Sequence, residues 1–471
     1  MQSRVAGDAA ASISQRIQLV ITILTTLFTA SVGMGAQSAL ATPAAQVTTD
    51  NCHETVLFVP VPYEGVRERV PPGYSLVLTE EDQAQLFIRM ARCDVVGVNG
   101  ATRASIISQV AAVIHSPDGR GCASGTFQDG PLGGLVAGDA IPACNWFVLS
   151  WASDHPELVS WLRAWGAAPV AYAKGFSYTY DAGKVLDQRF VAETPSGVPI
   201  PFTMVGVVGQ PVPPRFDLTI GYWFETPGGR LRVEGDTPEG IFTGFGRLTV
   251  CAPAGSPLAG MFVQDDTPLC EDAGDAFTSN GWEKGWYEAE HHDPPLAEQG
   301  CGEKCLHELA VARDWTTRYL DASRAMADGY VPVSPCEQDD DGKTMGMHFA
   351  RMGDDNNVLD PNPGLSVKHP EILLYVPSEA GLRLVAIEYS QAIIVNGEEW
   401  REDRPPPAGG APVLFGRPFD GPMKGHLGVG VVMIQPWHYD LHVWAWAHNP
   451  DGLFAQHNPS VKCAPSATEA G

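Results

Sequence analysis

The stretch Pro436–Pro450 reads P-W-H-Y-D-L-H-V-W-A-W-A-H-N-P, in which two kinds of residue alternate. A period of two is typical of a β-strand, because successive side chains point to opposite faces of a sheet. One predicted face is an apolar row that carries Tyr439, Leu441, Val443, Ala445 and Ala447. The other is a mixed row that carries His438, Asp440, His442, Trp444, Trp446 and His448. Imidazoles and carboxylates are transition-metal ligands and acid–base groups, so this strand predicts a site.

Two more residues are predicted to join this site from other strands. Glu388 ends an apolar run that begins at Leu382, and a buried carboxylate there needs a cation, a hydrogen-bond donor or a metal. His348 lies on or beside a short strand after Gly346. The candidate metal ligands are therefore His348, Glu388, His438, Asp440 and His442. Strand residues four apart are separated by ~13 Å, so one ion is not expected to take both histidines of the H-x-D-x-H motif unless a bulge intervenes.

Three interpretations of these residues stay open. A divalent transition metal with one bound water would lower the pKa of that water to ~7 and suit a hydrolase or lyase. Without a metal, Asp440 could orient an imidazole as an acid–base pair. The third interpretation is a purely structural set of histidines in a non-catalytic binding or scaffolding protein. A small molecule is the expected ligand, and the candidate ligand-binding residues are Trp444, Trp446, His448 and Lys174.

The N-terminus has the pattern of a secretory signal. Arg4 and Arg16 precede an apolar run from Ile17 to about Ala30, and Ala39-Leu40-Ala41 follows as a small-x-small cleavage site. This predicts a signal peptide over residues 1–41, with an uncleaved N-terminal anchor as the alternative. No later stretch reaches ~18 apolar residues, so no membrane span is expected after signal removal. The predicted location is secreted or periplasmic.

Cysteine content and charge agree with export. Ten cysteines suit an oxidising compartment, with six between Cys52 and Cys270 and four between Cys301 and Cys463. Spacing alone does not fix their pairing, but Cys336–Cys463 is the favoured long closure because it ties the end of the chain to its domain. The net charge of −25 argues against nucleic acid and anionic lipid as partners.

The chain is predicted to be an α+β, β-rich protein of two lobes. Its 50 glycines and 39 prolines separate short strand-like runs. The predicted divisions are a β-rich domain over residues 42–275, an acidic linker over 276–300, a His-rich α+β domain over 301–463 and a disordered tail over 464–471. The second domain is predicted to be an antiparallel sheet with one long helix from Glu303 to Asp328, where Gly329 is a natural stop.

The first domain resembles the acetoacetate decarboxylase-like superfamily. The likeness covers most of that domain and depends on Gly166–Asp181, Gly244–Phe262 and the Pro-Pro-Gly-Tyr of residues 71–74. It implies a central barrel-like cone with flanking helices. The true decarboxylases carry a Lys-Lys pair after a Gly-x-Pro, and one lysine forms a Schiff base. Here Val170 and Ala171 occupy those positions, and Lys174 is the single lysine nearby.

The second domain resembles an exported bacterial family to which no activity is attached. The likeness covers almost the whole domain through His348, Glu371, Glu388, the 438–444 motif, Asn449-Pro450, Asn458-Pro459 and Cys463. A weaker likeness is to the cupins, which place paired histidines on a barrel strand around a metal. In place of the usual H-x-H, this chain has H-x-D-x-H at His438–His442.

Overall fold

The computed structural model describes fourteen segments of the chain, which together carry two large sheets. These segments are residues 47–117, 145–180, 187–209, 212–262, 269–282, 285–292, 301–351, 364–378, 381–395, 398–403, 409–424, 428–429, 432–433 and 437–463. The predicted signal peptide and the predicted C-terminal tail lie outside them.

The first sheet is built from twelve strands of the N-terminal part. They are β1 (Val47–Val61), β2 (Ala84–Val98), β3 (Ala101–Val113), β4 (Asn145–Ser153), β5 (Val170–Tyr172), β6 (Ser177–Tyr180), β7 (Asp187–Glu193), β8 (Thr203–Gly209), β9 (Val212–Thr226), β10 (Gly229–Ala252), β11 (Leu269–Trp282) and β12 (Gly285–His292).

Seven of these strands close into a ring. The order β1-β2-β3-β4-β9-β10-β11 returns to β1, because β11 pairs with both β10 and β1. A large apolar cluster that includes Trp146, Trp151 and Tyr222 is buried in this part. A second cluster lies around Leu57, Trp223 and other buried side chains. The closed ring agrees with the predicted barrel-like cone.

The acidic stretch predicted as a linker is part of this sheet as far as His292, so that prediction was wrong for these residues. Strands β11 and β12 both pair antiparallel with β1 and β10, and each of the two β11 pairings contains one register shift. On β12, Tyr287 is buried while Glu288 is exposed. The charged residues therefore occupy the outer face of a strand whose inward side chains pack, and composition alone does not distinguish this pattern from a linker. Residues 293–300 lie outside the described segments.

Five α-helices and one 3₁₀ turn occur in the described segments. They are α1 (Tyr63–Arg67), α2 (Pro156–Ala164), α3 (Ala259–Phe262), α4 (Glu303–Thr316), the 3₁₀ turn Thr317–Leu320 and α5 (Ala322–Ala327).

The single helix predicted over residues 303–328 is broken into α4, the 3₁₀ turn and α5. The hydroxyl groups of Thr316 and Thr317 donate to the carbonyls of Ala312 and Arg313, and such back-bonding bends helices. The Asp321 carboxylate then accepts from Ser323 N and caps a new helix. Local hydrogen bonds therefore divide a stretch whose apolar periodicity is continuous.

The second sheet has seven strands, all of them antiparallel to their neighbours. They are β13 (Tyr330–Pro332), β14 (Glu337–Gln338), β15 (Thr344–Arg351), β16 (Ile372–Ser378), β17 (Gly381–Ala392), β22 (Asp420–Lys424) and β25 (Trp437–Val443). The six remaining strands form three short pairs: β18 (Ile394–Val395) with β19 (Glu398–Glu399), β20 (Val413–Leu414) with β21 (Arg417–Pro418), and β23 (Gly428–Val429) with β24 (Val432–Met433).

Both faces of the second sheet are covered. On one face, Phe349, Ile387 and Leu441 pack in a cluster that includes Leu309 and Ala312 of α4. On the other face, Ala350, Ile372 and Leu374 pack with Trp444 and with Val461 of the C-terminal segment. The architecture is therefore α+β and β-rich, as predicted, and both faces of the central strands are buried.

Three disulfides join described cysteines: Cys52–Cys93, Cys301–Cys305 and Cys336–Cys463. The last confirms the predicted long closure and spans 127 residues of sequence. These pairs are compatible with an extracellular protein. Among the described residues, no helix is both long and apolar enough to cross a membrane.

Candidate metal centre

Strand β25 carries the histidine motif into the middle of the second sheet. It pairs with β17 on one side and β22 on the other. Tyr439 and Leu441 face the core shared with α4, as the alternating pattern predicts. His438, Asp440 and His442 are at most 2% exposed. The mixed row is therefore an interior face of the sheet.

Three of the five predicted ligands meet at one point. Glu388 on β17 lies directly opposite His442 on β25. His348 lies on β15, which is separated from β17 by the single strand β16. Nε2 of His348 and Nε2 of His442 each lie 3.5 Å from Oε2 of Glu388, and one ligand atom from each of the three residues lies within 4.8 Å of the others. The three side chains are 0–1% exposed.

The outward nitrogens of both imidazoles have polar neighbours. Nδ1 of His348 lies 2.8 Å from Oγ of Ser334, and the backbone N–H of His348 also donates to that hydroxyl. Nδ1 of His442 lies 3.9 Å from Oδ2 of Asp440. Metal-bound histidines commonly have a hydrogen-bond partner on the second nitrogen, which fixes the ring and its tautomer, and Ser334 is such a partner for His348. Both rings have Nε2 toward Glu388.

Burial dominates the electrostatics of the cluster. It raises the pKa of Glu388 well above its ordinary value, and the negative charge of Asp440 raises this pKa further. Burial likewise lowers the pKa of His442, which favours the neutral imidazole that can bind a metal. In the described part of the chain, Oε2 of Glu388 and both nitrogens of His442 lack a hydrogen-bond partner. Buried polar atoms of this kind need an explanation, and an ion is one.

His438 and Asp440 stand beside the three-residue group and outside it. Nε2 of His438 lies 3.6 Å from Oδ2 of Asp440, so this carboxylate lies between the two histidines of the motif. Sequence reasoning proposed both residues as ligands but missed Ser334. Its Ser-Pro-Cys context gives no sign that its hydroxyl would reach a histidine fourteen residues later.

The predicted ligand-binding residues divide into two groups. Trp444, Trp446 and His448 line a cleft of about 640 Å³. Lys174 is exposed in a bend between β5 and β6 and is not part of that lining. Val170 and Ala171, at the positions that match the decarboxylase lysines, lie on β5 beside β4.

The comparisons with known proteins concern the fold. One solved structure, from structural studies of acetoacetate decarboxylase, is 9% identical with a TM-score of 0.35 and covers 56% of this chain and 97% of its own. Another, an acetoacetate decarboxylase-like enzyme from Sphingomonas wittichii RW1, is 10% identical with a TM-score of 0.31 and covers 56% of this chain and 98% of its own. At these identities and TM-scores, neither structure carries an argument about the family or the activity of this chain. No family profile and no curated protein matches the sequence.

Proposed function

We propose that this protein is an exported metal-binding protein that holds one divalent transition ion between His348, Glu388 and His442. The spacing of the ligand atoms carries the proposal. Ligands about 2.1 Å from a tetrahedral ion lie about 3.4 Å from one another. The two separations between imidazole nitrogen and carboxylate oxygen are both 3.5 Å, which is long for a hydrogen bond and close to the edge of such a tetrahedron.

The buried charge supports the same proposal. In the described segments, the ion-pair partners of Glu388 within 4 Å are the two imidazoles, and neither an arginine nor a lysine is among them. A carboxylate that is 1% exposed is costly without compensation. A divalent ion would favour the ionised carboxylate and the two neutral imidazoles together, and so satisfy all three groups.

Two imidazoles and one carboxylate are a ligand set of zinc enzymes and of non-haem iron sites. A fourth position filled by water would supply a nucleophile near neutral pH, which is the chemistry of hydrolases and hydratases. We therefore assign the site to metal-assisted hydrolysis or lyase-like chemistry as the finer form of the proposal. Its substrate is not specified by the ligands.

Export is supported by the N-terminal sequence pattern and by the three disulfides. Expression with the native N-terminus, followed by N-terminal sequencing of the protein recovered outside the cytoplasm, tests this part separately. A mature terminus near Thr42 is expected. Recovery of the full-length chain in the membrane fraction would favour the anchor instead.

Elemental analysis of the purified chain tests the metal site. We expect about one transition ion per chain, lost in His442→Ala and Glu388→Gln because each removes one of three ligands. Two matched controls are available. His438→Ala removes an equally buried histidine of the same strand, and Glu371→Gln replaces an equally buried carboxyl group that lies outside the three-residue group. Both controls should retain the ion, and a metal-free wild-type protein after growth with added zinc or iron would overturn the proposal.

A non-catalytic binding or scaffolding protein is the second candidate. It is favoured by Val170 and Ala171 at the positions of the decarboxylase lysine pair and by the exposure of Lys174. If this candidate is right, the wild-type protein contains no metal, and His442→Ala lowers its unfolding midpoint. The same elemental analysis therefore separates the two functions.

A further inference from the structure

The cleft of about 640 Å³ joins residues from distant parts of the sequence. His115, Ser75 and Arg230 come from the N-terminal part, while Arg313, Trp446 and His448 come from the C-terminal part. Its volume is within the range of small-molecule sites. None of the three residues of the candidate metal centre lines it, and neither do Val170 and Ala171.

The charge of the cleft is opposite to that of the protein. The chain has 55 acidic residues against 30 basic ones. The described residues that line the cleft nevertheless include two arginines and two histidines, and no aspartate or glutamate. In an acidic protein, such a patch attracts anions from solution.

Both guanidinium groups are held by the backbone. Arg230 donates through Nη2 to the carbonyl of Gly73, and its guanidinium carbon lies 4.9 Å from the ring centre of Tyr74. Arg313 donates through Nε to the carbonyl of Ala445, at 2.8 Å. A guanidinium has five N–H donors, so the anchor on Gly73 leaves Arg230 with further donors. Positioning before the ligand arrives reduces the cost of binding.

The guanidinium of Arg230 has a hydrogen-bond donor that is not used within the described residues. Its Nε is buried and has no hydrogen-bond partner among the described residues. Burial lowers its pKa, and the positive charge of Arg313 lowers this pKa further, while Tyr74 and Glu225 act in the opposite direction. An anion placed between the two guanidinium groups would relieve their repulsion.

Aromatic side chains form the apolar part of the lining. The indole of Trp446 donates to Oγ1 of Thr316 at 3.1 Å, which fixes the ring in place. The His115 ring meets it edge-on, with ring centres 6.0 Å apart. Leu453 and Pro117 add aliphatic surface. A ligand therefore has a flat apolar surface to contact as well as cationic donors.

We propose that this cleft binds a small organic carboxylate with a flat apolar body, whose carboxylate is held by Arg230 and Arg313 and whose body lies against Trp446. Planar guanidinium groups bind carboxylates with two parallel hydrogen bonds, which a neutral analogue does not reproduce. This inference is independent of the metal centre.

Calorimetric titration of the purified full chain tests the proposal. The probe is phenylacetate, compared with 2-phenylethanol as the uncharged analogue and inorganic phosphate as an anion without an apolar body. We expect phenylacetate to bind at least about tenfold more tightly than either comparison. Arg230→Gln should weaken phenylacetate binding by about tenfold or more. Arg324 is a partly exposed arginine outside the cleft, and Arg324→Gln should leave the binding unchanged.

Arg230→Lys separates loss of binding from misfolding, because it keeps the charge and removes the planar donor set. Weaker binding by Arg230→Lys with an unchanged unfolding midpoint supports the proposal. Equal binding of 2-phenylethanol and phenylacetate would overturn it, as would unchanged affinity in a folded Arg230→Gln variant. Tighter binding of phosphate would assign the cleft to a different anion, and no binding of any probe at millimolar concentration would also refute it.

Discussion

Asp440 provides a quantitative test of how the candidate metal centre is organised. Its carboxylate is fully buried, and Oδ2 lies 3.9 Å from the outward nitrogen of His442. This distance is longer than a hydrogen bond, but a small shift on metal binding would let the carboxylate accept from the Nδ1–H of His442, which orients a metal-bound imidazole and raises its basicity. Asp440→Asn keeps the size of the side chain and removes its charge. We expect it to weaken metal affinity by about 10- to 100-fold, which corresponds to about 1.4–2.7 kcal/mol.

The assay is competition for zinc between the metal-free protein and a chromophoric chelator at fixed pH and salt. Asp420→Asn is the matched control, because Asp420 pairs in register with Asp440 but its side chain is 41% exposed. The control should bind like the wild type, and Asp440→Asn should still bind one ion per chain. Unchanged affinity in Asp440→Asn would refute the orienting role. Complete loss of binding by a folded variant would show that Asp440 is itself a ligand.

Three further predictions concern stability. Asp314→Asn should destabilise the protein to denaturant by about 3–5 kcal/mol, because it leaves the buried Arg67 guanidinium without its carboxylate partner at 2.9 Å; a midpoint equal to that of the wild type would contradict this. Burial raises the pKa of Glu371 to about 8 from 4.5, so its contribution to stability is fully present below pH 4.5 and is lost as pH rises toward 8. The loss is about 1.4 kcal/mol per pH unit. The Glu371→Gln variant should therefore be more stable than the metal-free wild type by roughly 3 kcal/mol at pH 7, and about equally stable at pH 4.5. Denaturant melts at both pH values measure this difference, and a difference that does not change with pH would disprove the prediction. Replacing Cys336 and Cys463 together by serine opens a closure of 127 residues and should cost about 2–4 kcal/mol in the same melts, whereas an unaltered midpoint would mean that the closure adds no stability.

Much of the second sheet can be predicted from the sequence because its strands carry local patterns of apolar and polar residues. The period of two over Tyr439–Val443 fixed which side chains share a face, and the apolar run before Glu388 marked a central strand. The same reasoning failed for the described residues of the predicted linker, 276–282 and 285–292, because charged residues on a strand resemble a linker. It also failed at Thr317–Leu320, where side-chain hydrogen bonds interrupt a helical pattern.

The sequence alone determined which residue types are present and which alternate on a strand, since the geometry of the backbone imposes that period on any chain. It thereby identified His348, Glu388 and His442 as candidates. Only the tertiary structure decided that these three meet, because strand register across β15, β16, β17 and β25 depends on packing between segments almost a hundred residues apart. For the same reason, Arg230 and Arg313 have no mutual signal in the sequence, and they line one cleft because the fold brings two distant segments together.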